Sequence, residues 1–187
     1  MKESPFRTAD EIGARRALHE AIGGFAVAFE LVFGELRAAC RLMLERSGLK
    51  NQSLADIVLA RAGAAELTEL AGAMYREFRP GDLEGAAALK PILKRIDNLR
   101  DKRNTLLHAA WTLGIPNDQG TIEHAAYALT FRRSRQHGRA ICEMALRPAG
   151  FDELTTEANR LQIYARRLCC SVNQSSLPLA AQLKRPA

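Results

Sequence analysis

The sequence predicts a mainly α-helical fold with a small antiparallel β-meander before the last helix. Three observations carry that expectation. Apolar residues recur at steps of three and four from Leu18 to Met43, and Ile92, Ile96, Leu99, Leu106 and Ala110 form a second helical stripe. After Trp111 the period changes to alternation, and turn-forming residues cluster at Pro116-Asn117-Asp118-Gln119-Gly120. From Leu154 the helical period returns and runs to Val172.

Taken in order, the first element opens at Thr8-Ala9-Asp10-Glu11, a capping box with a hydroxyl at the N-cap and a carboxylate three residues on. Its stripe is Leu18, Ile22, Phe25, Phe29, Val32, Leu36, Cys40 and Met43, reaching to about Ser47-Gly48. Val27, Leu31 and Leu42 lie off this stripe, and a helix apolar on a second side asks for a second partner. Ser53 is placed to cap a short helix over 54–61, and Ala64–Phe78 carries Leu67, Leu70, Ala71, Met74 and Phe78 at helical spacing. Arg79-Pro80-Gly81 closes that stretch. Residues 82–89 are read as one or two turns. Pro91 then opens a new helix, because a first-turn N–H has no intrahelical partner to lose.

Past Trp111 the expected strands are the alternations Trp111, Leu113, Ile115 and Tyr127, Leu129, Phe131, followed by a third strand over 139–146. Residues 121–133 also fit a helix through Ile122, Ala126 and Leu129. Asp152 caps the last helix. The expected organisation is an N-terminal tail over 1–7, one domain over 8–172 with the meander inserted at 111–147, and a flexible tail over 173–187.

With 187 residues, 47% apolar and 26% charged, the chain has enough material for one core and a wet surface. That balance argues against wholesale disorder and fibrous repeats. Uninterrupted apolar runs are far shorter than the ~20 residues that cross a bilayer, and Met1-Lys2-Glu3-Ser4-Pro5 has no signal-like apolar core. The expectation is a cytoplasmic protein with no membrane partner. Cys40, Cys142, Cys169 and Cys170 include no C-x-x-C pair, so reduced thiols are expected, with neither a metal nor a cofactor. The net charge of +6 is carried mostly by arginine, whose planar fork of donors suits phosphate.

The chemically informative stretch is Leu99-Arg100-Asp101-Lys102-Arg103-Asn104-Thr105-Leu106-Leu107-His108-Ala109-Ala110-Trp111. Arg103 falls in the middle of the stripe Ile92, Ile96, Leu99, Leu106, Ala110, and a cation aimed into packing needs a compensating partner. Asp97, Asp101, Asn104 and His108 border it. On a regular helix Arg103 and His108 point roughly 140° apart, so they meet at one target only if the helix is distorted or two copies pack together. Read from the residues alone, Arg103 also fits a cation snorkelling from the core, and His108 a last-turn group answering the helix dipole.

Arg103-Asn104-Thr105-Leu106-Leu107-His108, late in a helix and followed by Trp111, resembles the Arg-polar-x-x-x-His motif of the HEPN superfamily (higher eukaryotes and prokaryotes nucleotide-binding). The resemblance implies a HEPN-like helical bundle acting as a homodimer with two motifs flanking one cleft. It implies a metal-independent endoribonuclease, of a toxin–antitoxin or phage-defence system, with Arg103, Asn104 and His108 as catalytic residues. An RNA substrate and a nucleotidyltransferase-like antitoxin are the partners it implies. Residues 111–147 depart from the family pattern. The alternative is a non-catalytic HEPN-like module that holds RNA, a nucleotide or a protein in the same cleft. A purely structural dimer would instead tie Arg103 to Asp97 or Asp101.

The side chains suit such chemistry. Transesterification through the 2′-hydroxyl needs a proton removed there and one delivered to the leaving 5′-oxygen, and imidazole titrates in the right range for either. A guanidinium can bond the charge that builds on the phosphoryl oxygens. Arg132 and His137 repeat the same separation, but in a turn and without an apolar stripe around them. Arg100, Arg132, Arg133, Arg135 and Arg139 are further candidates for RNA phosphates. Tyr127 and Phe131 could stack bases, although alternating aromatics pack into cores more often.

Overall fold

The computed structural model describes the backbone of residues 9–107, 110–113, 126–134, 138–146, 148–174 and 176–187, and the side chains of 12–13, 15–107, 149–174 and 176–187. The elements run α1 (Ala9–Arg46), α2 (Gln52–Ala60), α3 (Ala64–Phe78), α4 (Leu83–Leu107), β1 (Ala110–Leu113), β2 (Ala126–Ser134), β3 (Gly138–Leu146), α5 (Pro148–Asn173) and α6 (Leu179–Leu183).

The expected fold class, a helical bundle with a β-meander before its last helix, is corrected here. Of the residues whose side chains are described, 85% are helical and none lies in a strand. The core formed by those residues is built from stripes of helical period. Strand pairing is confined to backbone outside that set. There β1, β2 and β3 lie in chain order and antiparallel, with Trp111 opposite Ala128 and Arg133 opposite Arg139. Two helices follow them rather than one.

By its contacts the chain divides into two compact units, Met1–Ala26 with Arg103–Leu154, and Val27–Lys102 with Thr155–Ala187. In the first, Leu18, Phe25, Leu106 and Phe151 are buried, and the rings of Phe25 and Phe151 meet at 6.3 Å between centroids. In the second, Phe29, Val32, Phe33, Leu36 and Met43 of α1 are buried, as are Leu67 and Tyr75 of α3, Ile92, Ile96 and Leu99 of α4, and Leu161 and Leu168 of α5. Burying such side chains contributes about 1.5–3 kcal/mol each. Val27 and Leu31, off the main stripe of α1, are 62% and 47% exposed. By length and composition alone, residues Arg15–Arg46 form a helix that could cross a membrane, a test that core helices also pass.

Several boundaries differ from the sequence reading. The α2 cap is Asn51 rather than Ser53: its side-chain oxygen accepts from the Leu54 N–H at 3.3 Å. Pro91 lies inside α4 and does not begin a helix. Buried Leu89 and Ile92 hold the helix on either side, which offsets the bond that proline removes. Asp82 starts α4, accepting from the Gly85 N–H at 2.8 Å through Oδ1 and from the Tyr75 hydroxyl at 2.6 Å through Oδ2. A Cβ at Gly85 would crowd the Asp82 carboxylate and the Tyr75 hydroxyl, so a larger residue here has to displace that pair. The capping box at Thr8 lies outside the described residues, as does the tail over 1–7.

The expected flexible tail over 173–187 is also corrected. Leu179, Ala180 and Leu183 are buried, the Ser171 hydroxyl donates to the Leu177 carbonyl at 2.9 Å, and Arg167 donates to the carbonyls of Arg185 and Pro186, each at 2.7 Å. Apolar side chains and an arginine bound to carbonyls pin this segment.

Candidate functional site

The candidate residues begin in the last turns of α4. Leu106 is buried and Arg103 is half-buried, with its Nε shut off from solvent. Arg103 Nη1 donates to Asn104 Oδ1 at 3.3 Å, on the exposed side of the helix. The stem thus follows the apolar stripe while the tip turns toward solvent beside an amide. His108, the third expected catalytic residue, lies outside the described residues. The two motif positions that are described are therefore neighbours in space as well as in sequence.

Arg100 is engaged otherwise. Its Nη1 donates to Asp97 Oδ1 at 2.6 Å and its Nη2 to Asp101 Oδ1 at 3.0 Å. An arginine with two carboxylates is a poorer phosphate ligand than an uncommitted one, because a phosphate must displace them. Burial pushes the Asp97 carboxyl above its ordinary range, against the opposing pull of Arg100 and a hydrogen bond from Thr68. Arg132 and Arg133 fall on β2 and Arg139 on β3, with Arg133 and Arg139 at paired register positions. Arg135 lies outside the described residues, as do the side chains of Tyr127 and Phe131.

Other arginines are structural. Arg95 donates twice to Glu157, at 2.9 Å through each of Nε and Nη2, joining α4 to α5. Arg166 holds Glu35 at 2.8 Å, and Arg79 donates to the Ser171 carbonyl at 2.6 Å. Cys40 is buried, and burial pushes its thiol up to about 12, with nearby Cys169 adding to the effect. Cys169 donates to the Glu35 carbonyl at 3.3 Å and is likewise pushed up to about 12 by burial. Such thiols are poor nucleophiles. Among the described residues, no group of three or more His, Cys, Asp and Glu side chains is placed to hold a metal ion.

Sequence reading missed a groove between α3 and α4, lined by charged residues from both helices. Its signal was available as spacing: Glu69, Gly72 and Arg76 on α3, and Lys90, Lys94 and Asp97 on α4, each set follow steps of three and four. Comparison with protein-family models, curated proteins and solved structures finds no match.

Proposed function

We propose that this chain is a metal-independent endoribonuclease of HEPN type. It works in the cytoplasm as a homodimer, as the toxin of a toxin–antitoxin pair or in phage defence, with a nucleotidyltransferase-like antitoxin as its partner. The observation that carries this reading is the Arg103–Asn104 hydrogen bond, which orients a guanidinium at the solvent side of α4 just before the chain reaches His108.

In the proposed reaction, His108 removes the proton from the 2′-hydroxyl and the 2′-oxygen attacks phosphorus. The bond to the 5′-oxygen breaks, and that oxygen takes a proton from the His108 of the second copy. The products are a 2′,3′-cyclic phosphate and a 5′-hydroxyl. Arg103 bonds the phosphoryl oxygens as their charge grows, and Asn104 positions it. Because the nucleophile belongs to ribose, DNA is not cut.

The test is RNA cleavage in EDTA by wild type, Arg103→Ala and His108→Ala, with end-group analysis of the products. Loss of cleavage in both variants with cyclic phosphate ends from the wild type supports the assignment. Equal activity in all three refutes it. RNA binding without cleavage would favour the non-catalytic module.

A further inference from the structure

The groove between α3 and α4 has a volume of about 340 Å³ and lies wholly within the second unit. The two helices run antiparallel: Tyr75 approaches Gly85, Gly72 meets Leu93, and Thr68 and Asp97 line the same end of the groove. A Cβ at Gly72 would come within 2.9 Å of Leu93 Cδ1, so the missing side chain leaves room for the groove's apolar floor. Around that floor stand Arg76, Lys90 and Lys94, with Glu69 and Asp97 at the end near Thr68.

Charge use sets this groove apart. Arg41, Arg95, Arg100 and Arg166 in the same unit each hold a carboxylate. Arg76, Lys90 and Lys94 form no ion pair among the described residues, although they share one concavity. Like charges lining one concavity repel one another, and a bound dianion relieves that repulsion. At the other end, Glu69 lies close enough to Asp97 to disfavour its ionised form, and Arg100 offsets only one of the two carboxylates. The distance from Glu69 to Arg76 along α3 is about 10 Å at 1.5 Å per residue.

We propose that this groove binds a small phosphate ester bearing an amino group: the phosphate on Arg76, Lys90 and Lys94, the apolar body over Gly72 and Leu93, and the amine at Glu69 and Asp97. A phosphate dianion offers acceptors for three separate cations, which one carboxylate does so less well. The site is independent of the RNA chemistry assigned to Arg103.

Calorimetric titration of the full chain tests it, with AMP as the probe that carries both ends, UMP as the probe without the exocyclic amine, and inorganic phosphate as the anion alone. AMP is expected to saturate one site per chain and to bind about tenfold or more tighter than UMP or phosphate. Arg76→Ala and Lys90→Ala each lower AMP affinity by about tenfold or more, as loss of a charge-assisted bond requires. Glu69→Gln brings AMP down to the level of UMP, and Arg103→Ala leaves AMP binding unchanged. Each variant is checked by thermal melting, and Lys94→Ala serves where Arg76→Ala melts early. No saturation by AMP, or saturation indifferent to Arg76 and Lys90, overturns the proposal. UMP binding as well as AMP removes the amine's role. An acidic peptide that binds through the same residues in place of AMP overturns the ligand assignment.

Discussion

Arg95 and Arg103 stand on the same helix, fall in different compact units and meet different kinds of hydrogen-bond acceptor. Arg95 gives Nε and Nη2 to the two oxygens of Glu157, a fork-to-fork pair that joins α4 to α5 and neutralises both groups. Arg103 gives Nη1 to the neutral amide of Asn104. One cation joins two helices through a carboxylate; the other meets an amide on its own helix. Other arginines of the second unit follow Arg95: Arg79, Arg100, Arg166 and Arg167 all reach carboxylates or backbone carbonyls. A basic composition therefore says little about nucleic-acid contact until each guanidinium has been traced to what it touches.

The sharpest way to break that contrast is to remove each arginine in turn. Arg103→Ala is expected to lower RNA cleavage by about 10²–10⁴-fold, with little change in melting. Arg95→Ala is expected to leave cleavage unchanged and to cost about 1 kcal/mol or less, because its pair with Glu157 is partly solvated. Turnover and denaturant unfolding of the two variants decide the matter. If Arg103→Ala cuts RNA as the wild type does, the catalytic role assigned to Arg103 fails.

Next in size is an effect on the tail. Leu179 is fully buried, and Leu179→Ala should cost about 2–5 kcal/mol in urea unfolding. A frayed tail would lose almost nothing. The measurement thus asks whether residues after α5 belong to the packed second unit, as Arg167 and its three carbonyl partners indicate.

What could be read from the sequence follows from the range over which each force acts. The stripes of α1, α3 and α5 were legible because burial imposes a 3.6-residue period, and Phe29, Leu67 and Leu161 sit where that period puts them. The continuity of α4 through Pro91 was not, since local propensity stops a helix that packing around Leu89 and Ile92 sustains. The α6 segment was missed for a similar reason. Leu179, Ala180 and Leu183 are too few to show a period, and their burial comes from distant chain. Of the candidate site, the adjacency of Arg103 and Asn104 was legible because neighbours on a helix stay neighbours. The commitment of Arg100 to Asp97 and Asp101 was equally local and was overlooked. The α3–α4 groove depends on the pairing of two helices, which the composition of neither helix reveals.

The smallest expected effect concerns the thiols of the second unit, where Cys170 is exposed while Cys40 is buried. Burial raises the folded Cys40 thiol from 9.0 to about 12. Between those values the folded chain keeps a proton that the unfolded chain gives up, so stability is fully present below about pH 9 and falls as pH rises. The slope from Cys40 is at most about 1.4 kcal/mol per pH unit. Urea unfolding of wild type and Cys40→Ala from about pH 9 upward checks this, because titrations common to both proteins cancel in the difference. The stability gap between them should narrow with rising pH; a constant gap would mean that the Cys40 environment admits the thiolate. Maleimide labelling of the native chain at neutral pH gives an independent reading: Cys170 should react well before Cys40 and Cys169, which become reactive only as the second unit opens.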